Sequence, residues 1–509
     1  MDWTHGYFAD TGYTFGFYPE LCPTRLRMAA LIHGSAVPEM GFRYLDAGCG
    51  QGLNALFAAA FHPESEFIGI DFHPEHVAHA RALGREAGLS NVSFIEGDFM
   101  ELVEVGSGLG QFDYITCHGV STWISLPVRD ALFQFVGRAL KPGGLFYNSY
   151  NTFPGWLATA PFQHLVLLAQ RSSPGLGALS AAKQVMANLK ALGSPMFDAL
   201  PALPARLQAI EGQSQDYVHQ EYGNQHWRPV FVSEMLEALQ RVKLTYIGSA
   251  NLPEAFESLI APALQTLLDD ERDRIVREQL RDFALNQSFR RDLYVKGRQR
   301  LWPNDPMHHL RDARFIRNPT LARPEKGEFF LFSAGGFDLK GEPKYYGALL
   351  DHLEIRPEGS SLDEIIAAGV YGAQRDSLLQ AVALLLHAGY ILERREVSEA
   401  TKVAVKALNV ALSRASALGA PYRHVALAEG ATALQVTELE LSLLNYYFEN
   451  IPINEWAGRL QNKISAQGRN LAKDGALVEE AHEQLNLLDE FCVGFRENKL
   501  RLLQQTGSA

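Results

Sequence analysis

From residue 42 to 151 the chain alternates short apolar runs with amphipathic stretches. FRYLDAG (42–48), EFIGIDF (66–72), VSFIEGDF (92–99), FDYITCHG (112–119) and GGLFYNSYN (143–151) have the length and the Ile, Phe and Tyr content of buried strands. LNALFAAAF (53–61), HVAHARALGREAGL (76–89) and VRDALFQFVGRAL (128–140) instead repeat their apolar positions at helical spacing. Strands that alternate with helices in this way predict an α/β fold with a doubly wound parallel sheet.

Beyond residue 151 the rhythm changes. About 158–228 is rich in Ala, Leu and Gln and predicts a helical insertion, after which VFVSEMLEALQRVKLTYIGSA (230–250) resumes a helix and a strand. Residues 255–290 predict one or two charged amphipathic helices, and RDLYVKG (291–297) a last, antiparallel strand. The Pro- and Arg-rich LWPNDPMHHLRDARFIRNPTLARP (301–324) marks a boundary. YYGALLDHL, SSLDEIIAA and QRDSLLQAVALLLHAG then predict three helices, and YILERR a strand, the order of a winged helix; from about 400 the pattern is helical.

Three units follow from this pattern: 1–300 around the sheet, 301–398 as linker and winged-helix-like module, and 399–509 as a helical C-terminal region. A chain of 509 residues fits that division. The 47% hydrophobic and 20% charged content belongs to a globular protein with ample core. The longest apolar stretch, 378–392, is shorter than the roughly 20 residues a membrane helix needs. The four cysteines show no CxxC spacing, and the N-terminus has no basic and apolar leader, so a reducing cytoplasm is expected.

A net charge of −12 sets the protein against nucleic acid and favours cationic partners. Arg290, Arg291, Lys296, Arg298 and Arg300 are the one basic cluster, either paired with carboxylates or facing an acidic partner. The helix of the winged module that would read DNA holds one basic residue, Arg375. No nucleic-acid partner is expected.

The chemistry concentrates in YLDAGCGQG (44–52). A dinucleotide loop sets a pyrophosphate on a helix N-terminus, where a carboxylate two residues before the first glycine is repulsive. Asp46 stands at that position, ahead of Gly48, Gly50 and Gly52. S-adenosylmethionine has no phosphate and presents an ammonium and a sulfonium, which Asp46 attracts. Asp71 ends the second strand, where an acid bonds ribose hydroxyls, and Asp98 follows the third, placed for the adenine amino group with Phe99 beside the ring. His73, His76 and His79 at helical spacing read as a solvated helix start; no metal site is expected.

In DAGCGQG, IGIDF, EGDF and LKPGG, residues 44–156 resemble the class I S-adenosylmethionine-dependent methyltransferases, a Rossmann-like fold. YTFGFYPELCP (13–23), HGVSTWIS (118–125) and NSYNTFPGW (148–156) resemble more narrowly the methyltransferases with a methyltransferase regulatory domain, among them bacterial outer-membrane-protein lysine methyltransferases. The resemblance implies cofactor binding at Asp46, Gly48, Gly50, Asp71 and Asp98, with His118 facing cofactor or acceptor and Tyr13 and Tyr18 forming a lid. His118, Trp123, Tyr150 and Asn151 are the candidates for holding an acceptor amine. A protein or peptide acceptor is the expected partner, a small molecule or surface saccharide the alternative, and a homodimer is left open.

Overall fold

The computed structural model describes residues 15–509 apart from 106–107, 174–175, 213–217, 219–220, 303–304, 326–327, 335–336, 372–374, 474–475 and 479. Seven strands form one sheet: β1 Arg43–Ala47, β2 Glu66–Asp71, β3 Val92–Glu96, β4 Phe112–Cys117, β5 Leu140–Asn151, β6 Thr245–Ser249 and β7 Phe289–Val295. Their order is β3-β2-β1-β4-β5-β7-β6. The first five pair in parallel, and β7 runs antiparallel between β5 and β6. The order reverses between β1 and β4, the place where such sheets open a crevice at their C-terminal ends.

Helices cover both faces, so the central strands bury both sides and read as unbroken apolar runs; every residue of β4 is buried. The helix Leu53–Phe61 is also buried at every residue, although one face of a helix suffices to cover a sheet. Its second face meets the C-terminal helix Glu399–Ala417, and Leu56 and Phe57 share a core with Leu408 and Leu412. The C-terminal region therefore packs directly on the element that follows the glycine loop.

The insertion consists of the helices Ala160–Ala169, Leu176–Ala191, Pro195–Ala199 and Leu203–Glu211, with a small core of their own around Phe162, Leu179, Met186 and Ile210. The stretch expected to be a linker is structured: Arg314–Arg317 is the middle strand of a three-stranded sheet with Ser360–Ser361 and Ile391–Arg394. Its Phe315 and Ile316 are buried, while Arg314 pairs with Glu364 and Arg317 with Glu354. The Pro- and Arg-rich stretch expected to be a boundary thus supplies the middle strand of the next module. Helices Pro343–Glu354, Leu362–Ala367 and Arg375–His387 follow in the expected order. The C-terminal region is not purely helical, since a hairpin, His424–Leu427 with Thr432–Gln435, stands between its helices. Strands of four residues carry too little periodicity to separate them from a helix end.

The basic cluster is largely used inside the protein. Arg290 is buried among carboxylates, Arg291 pairs with Glu20 at 2.7 Å, and Lys296 donates to the carbonyl of Leu140. Among the described residues no helix is long and apolar enough to cross a membrane, and no group of three His, Cys, Asp or Glu side chains is arranged to hold a metal.

Candidate active site

β1 ends at Ala47, and the chain turns through Gly48 to Gly52 into the helix Leu53–Phe61. Gly48, Gly50 and Gly52 have φ of 79°, 52° and 79°, the left-handed region that favours glycine. A Cβ on Gly48 would stand 2.5 Å from Val120. The amides of Gly48 and Cys49 donate to the carbonyl of Ile70 and that of Gly50 to the Asp71 carboxylate at 2.8 Å, which ties the loop to the end of β2. Gly52 departs from the expectation for it. It lines no part of the cleft described below; a Cβ there would strike Ala80 and Phe94, so Gly52 lets helix and sheet close together.

Two lobes meet at this loop. The larger, about 830 Å³ of solvent-open space, is lined by Asp71, Phe72, Asp98, Phe99, Trp123 and His226 among others. The smaller, about 430 Å³, is lined by Tyr18, Asp46, Gln51 and Asn54. Gly48, Gly50 and His118 line both. Asp98 also accepts from the amide of Met100 at 2.7 Å and so holds the start of the helix Phe99–Val105 beside the lobe. Asp71 accepts from the amides of Gly50 and His73 and pairs with His76 Nδ1 at 3.2 Å. Those bonds use three of roughly four acceptor positions on a carboxylate, which leaves room for one ligand hydroxyl rather than two.

Asp46 is 4% exposed and accepts from the Thr116 hydroxyl at 3.1 Å. Burial, opposed by that bond and reinforced by the nearby Asp71, raises its pKa to about 7. Among the described residues no Lys or Arg side chain pairs with it. His118 follows the end of β4; its Nδ1 lies 2.9 Å from the Tyr147 hydroxyl and 3.1 Å from Ser149 Oγ, and its ring sits 4.0 Å from that of Tyr18. Burial lowers its pKa to about 4, with Glu20 working against the shift and Arg291 adding to it. The imidazole is neutral at physiological pH.

The remaining candidates separate. Trp123 lines the large lobe with Asp98 and Phe99, away from the lobe of Tyr18. Tyr150 is corrected: it is fully buried and its hydroxyl donates to Asp292 at 2.5 Å. Tyr147 and Ser149 face His118, and the two-residue period of β5 sends Tyr150 to the opposite side. Asn151 is 4% exposed, its backbone N–H donates to the Thr122 hydroxyl, and it lines neither lobe. Tyr13 lies outside the described residues. Asn54 and His226 are two of the lining residues that the sequence did not point to. Asn54, the one polar residue in LNALFAAAF, is a visible signal; it exchanges two hydrogen bonds with the backbone of Tyr18. His226 carries none, because it is brought in through Asn224, whose side chain donates to the carbonyl of Trp123.

The lobes suit S-adenosylmethionine. Their lining mixes apolar and aromatic walls with a few convergent polar groups, the pattern of a small-ligand site. The smaller lobe offers a buried carboxylate in need of a cation, and the larger joins Asp71 and Asp98 to the apolar Phe99, Trp123 and Val128. Residues 38–195 match the model of a methyltransferase domain, and residues 214–296 that of a predicted methyltransferase regulatory domain. The chain is 31% identical over 518 residues to an uncharacterised protein of Synechocystis sp., with 100% of both chains covered. The chain belongs to the methyltransferases with a methyltransferase regulatory domain.

It is an S-adenosylmethionine-dependent methyltransferase. An uncharacterised protein of Rickettsia prowazekii is 25% identical over 307 residues, 60% of the methyltransferase and 55% of that relative. The structure of PKMT2 from Rickettsia typhi in complex with AdoHcy has the same fold, with a TM-score of 0.70 at 18% identity over 96% of this methyltransferase and 99% of that chain. The regulatory stretch is not an appendage of the methyltransferase. It contributes β6, β7 and His226, so it completes the sheet and lines the larger lobe.

Proposed function

We propose that this methyltransferase acts on the side-chain amine of protein lysine. One observation carries the reading. Next to the segment that carries Tyr18, a solvent-open groove lies between the sheet and the C-terminal half, lined by Glu20, Arg25, Arg291, Glu393 and Lys499. The groove is open to solvent along its length, and its charges of both signs, Glu20 and Glu393 beside Arg25, Arg291 and Lys499, suit a polypeptide. Support also comes from the motifs that resemble outer-membrane-protein lysine methyltransferases and from a neighbour of the same fold named PKMT2.

In this reading Asp46, Gly48, Gly50, Asp71 and Asp98 hold the cofactor, which supplies an activated methyl group. The residues that line both lobes, Gly48, Gly50 and His118, mark where the lobes join. The Tyr18 and His118 rings pack against each other there, 4.0 Å apart and tilted by 30°, and aromatic faces favour a cationic side chain and its methylated product. A lysine reacts as the neutral amine, and its ordinary pKa of about 10.4 leaves little of that form at pH 7. With a pKa of about 4, His118 is too weak a base to keep the released proton. The proton passes to water, and His118 aligns the amine rather than deprotonating it.

The test is to incubate the protein with radiolabelled methyl donor and a lysate of its own cells, and to separate the labelled material by size. Label in protein that rises from pH 7 to 9 and disappears when the lysate's lysines are acetylated beforehand is the expected result. Label that survives acetylation, or runs with small molecules or saccharide, rejects lysine. A protein that binds donor and labels nothing is a cofactor-binding regulator.

A further inference from the structure

The C-terminal region reaches the cofactor loop through one histidine. His79, on the helix Pro74–Glu86, has Nδ1 2.9 Å from the carbonyl of Gln51 in the glycine loop and Nε2 2.7 Å from the hydroxyl of Tyr422, 343 residues away. A carbonyl oxygen only accepts, so Nδ1 carries the hydrogen. Burial holds the imidazole below its ordinary pKa and keeps it neutral, which leaves Nε2 to accept from Tyr422. The bridge thus has a fixed direction, from Tyr422 through His79 to the loop.

The same tyrosine meets the N-terminal segment. The Phe15 ring stands edge-on to His79 at 5.2 Å and to Tyr422 at 5.7 Å. Phe17 packs between Phe57 of the sheet-covering helix and His424 of the C-terminal hairpin, at 5.0 and 5.6 Å. Gly16 and Tyr18, which alternate with these anchors, line the smaller lobe, and the backbone of Tyr18 is tied to Asn54 by bonds of 3.1 and 2.8 Å. Every second residue of 15–18 is therefore an anchor, and the residues between form the wall of the lobe.

We propose that Tyr422 is a positioning residue for the cofactor site: through His79 it fixes the glycine loop at Gln51, and through Phe15 it seats the segment that holds Tyr18 against the smaller lobe. Cofactor affinity then depends on a region that contributes no residue to either lobe. The inference rests on cofactor occupying those lobes, which titration of the parent protein with S-adenosylhomocysteine tests separately.

The experiment compares full-length parent, Tyr422→Phe, His79→Ala, the double variant and Tyr447→Phe by calorimetric titration with S-adenosylhomocysteine, alongside thermal unfolding. Tyr422→Phe keeps the ring on Phe15 and loses only the hydroxyl, so Kd should rise about fivefold, the effect of one hydrogen bond, with a melting temperature lowered by at most about 2 °C. His79→Ala should weaken binding at least as much. Because the two residues act in series, the double variant should be no weaker than His79→Ala by more than about twofold. Tyr447, whose hydroxyl accepts from Gln504 in the same region, is the control and should bind as the parent does. A Kd for Tyr422→Phe within twofold of the parent, or single-variant losses that multiply in the double, would overturn the proposal. A fall in melting temperature with Kd unmoved would do the same, because it marks a merely structural contact.

Discussion

Buried carboxylates at two places against the sheet, around Arg290 on β7 and at the end of β1, do opposite things. Asp282, Asp292 and Glu278 surround Arg290, whose guanidinium reaches them at 2.5, 3.0 and 2.8 Å. The hydroxyls of Tyr150 and Tyr294 also donate to Asp292. Burial pulls all three acids up; at Glu278 it is outweighed by Arg290 and Arg281 together with the bonds from Arg290 and Tyr246, so Glu278 stays below the ordinary range, while Asp282 reaches about 7. Asp46 is equally buried, has a hydroxyl as its partner, and also reaches about 7. One group carries its cation in the chain; the other opens on a cleft. The first set has its cation built in and is architecture; Asp46 has none among the described residues, which fits the proposed place for a cationic ligand.

The contrast predicts, first, that removing the internal cation is the most damaging change. Arg290→Met leaves buried acids uncompensated and should cost about 3–5 kcal/mol of stability. Denaturant titration would show it, and the deficit should shrink as pH falls and the carboxyls take up protons. Losing it without a stability change would mean the cluster is not held by Arg290. Second, His118→Ala should slow methyl transfer by about tenfold to a hundredfold, while S-adenosylhomocysteine affinity changes less than threefold; equal losses in both would make His118 a cofactor ligand alone. Third and smallest, Tyr150→Phe should cost about 1 kcal/mol of stability and leave the transfer rate at saturating substrate unchanged. A slowed rate with intact stability would return Tyr150 to the active site.

The sheet and the loop could be read because their signals are local. A run such as YLDAGCGQG states its strand, its turn and its acid within nine residues, and Asp71 and Asp98 recur at the next strand ends. What escaped depends on distant partners. Tyr150 and His118 both stand near strand ends, and only strand pairing shows that Tyr150 lies opposite Arg290 on the face away from His118. Arg290 looked like part of a basic surface until its acids, two on a helix and one on its own strand, closed around it. Arg314–Arg317 was hidden by the prolines and arginines around it, and His226 reaches the cleft through a loop contact that no spacing encodes.

Asp46 is proposed to take the cationic part of the cofactor, and calorimetric titration of the parent and Asp46→Asn with S-adenosylmethionine at pH 6 and pH 8 tests this most directly. In the folded chain Asp46 binds its proton up to about pH 7, against about 3.9 unfolded, so its charged form destabilises the ligand-free protein as pH rises through that window. Asp46→Asn should therefore be no less stable at pH 8 than the parent. The ionised carboxylate is the form that attracts the ligand, so the parent should bind about tenfold more tightly at pH 8 than at pH 6, as the ionised fraction of a group with a pKa near 7 dictates. Asp46→Asn should bind about tenfold or more weakly at pH 8 and lose the pH dependence, with no binding of NAD by either protein. Equal affinity for parent and variant, or tight NAD binding by the parent, would contradict the account.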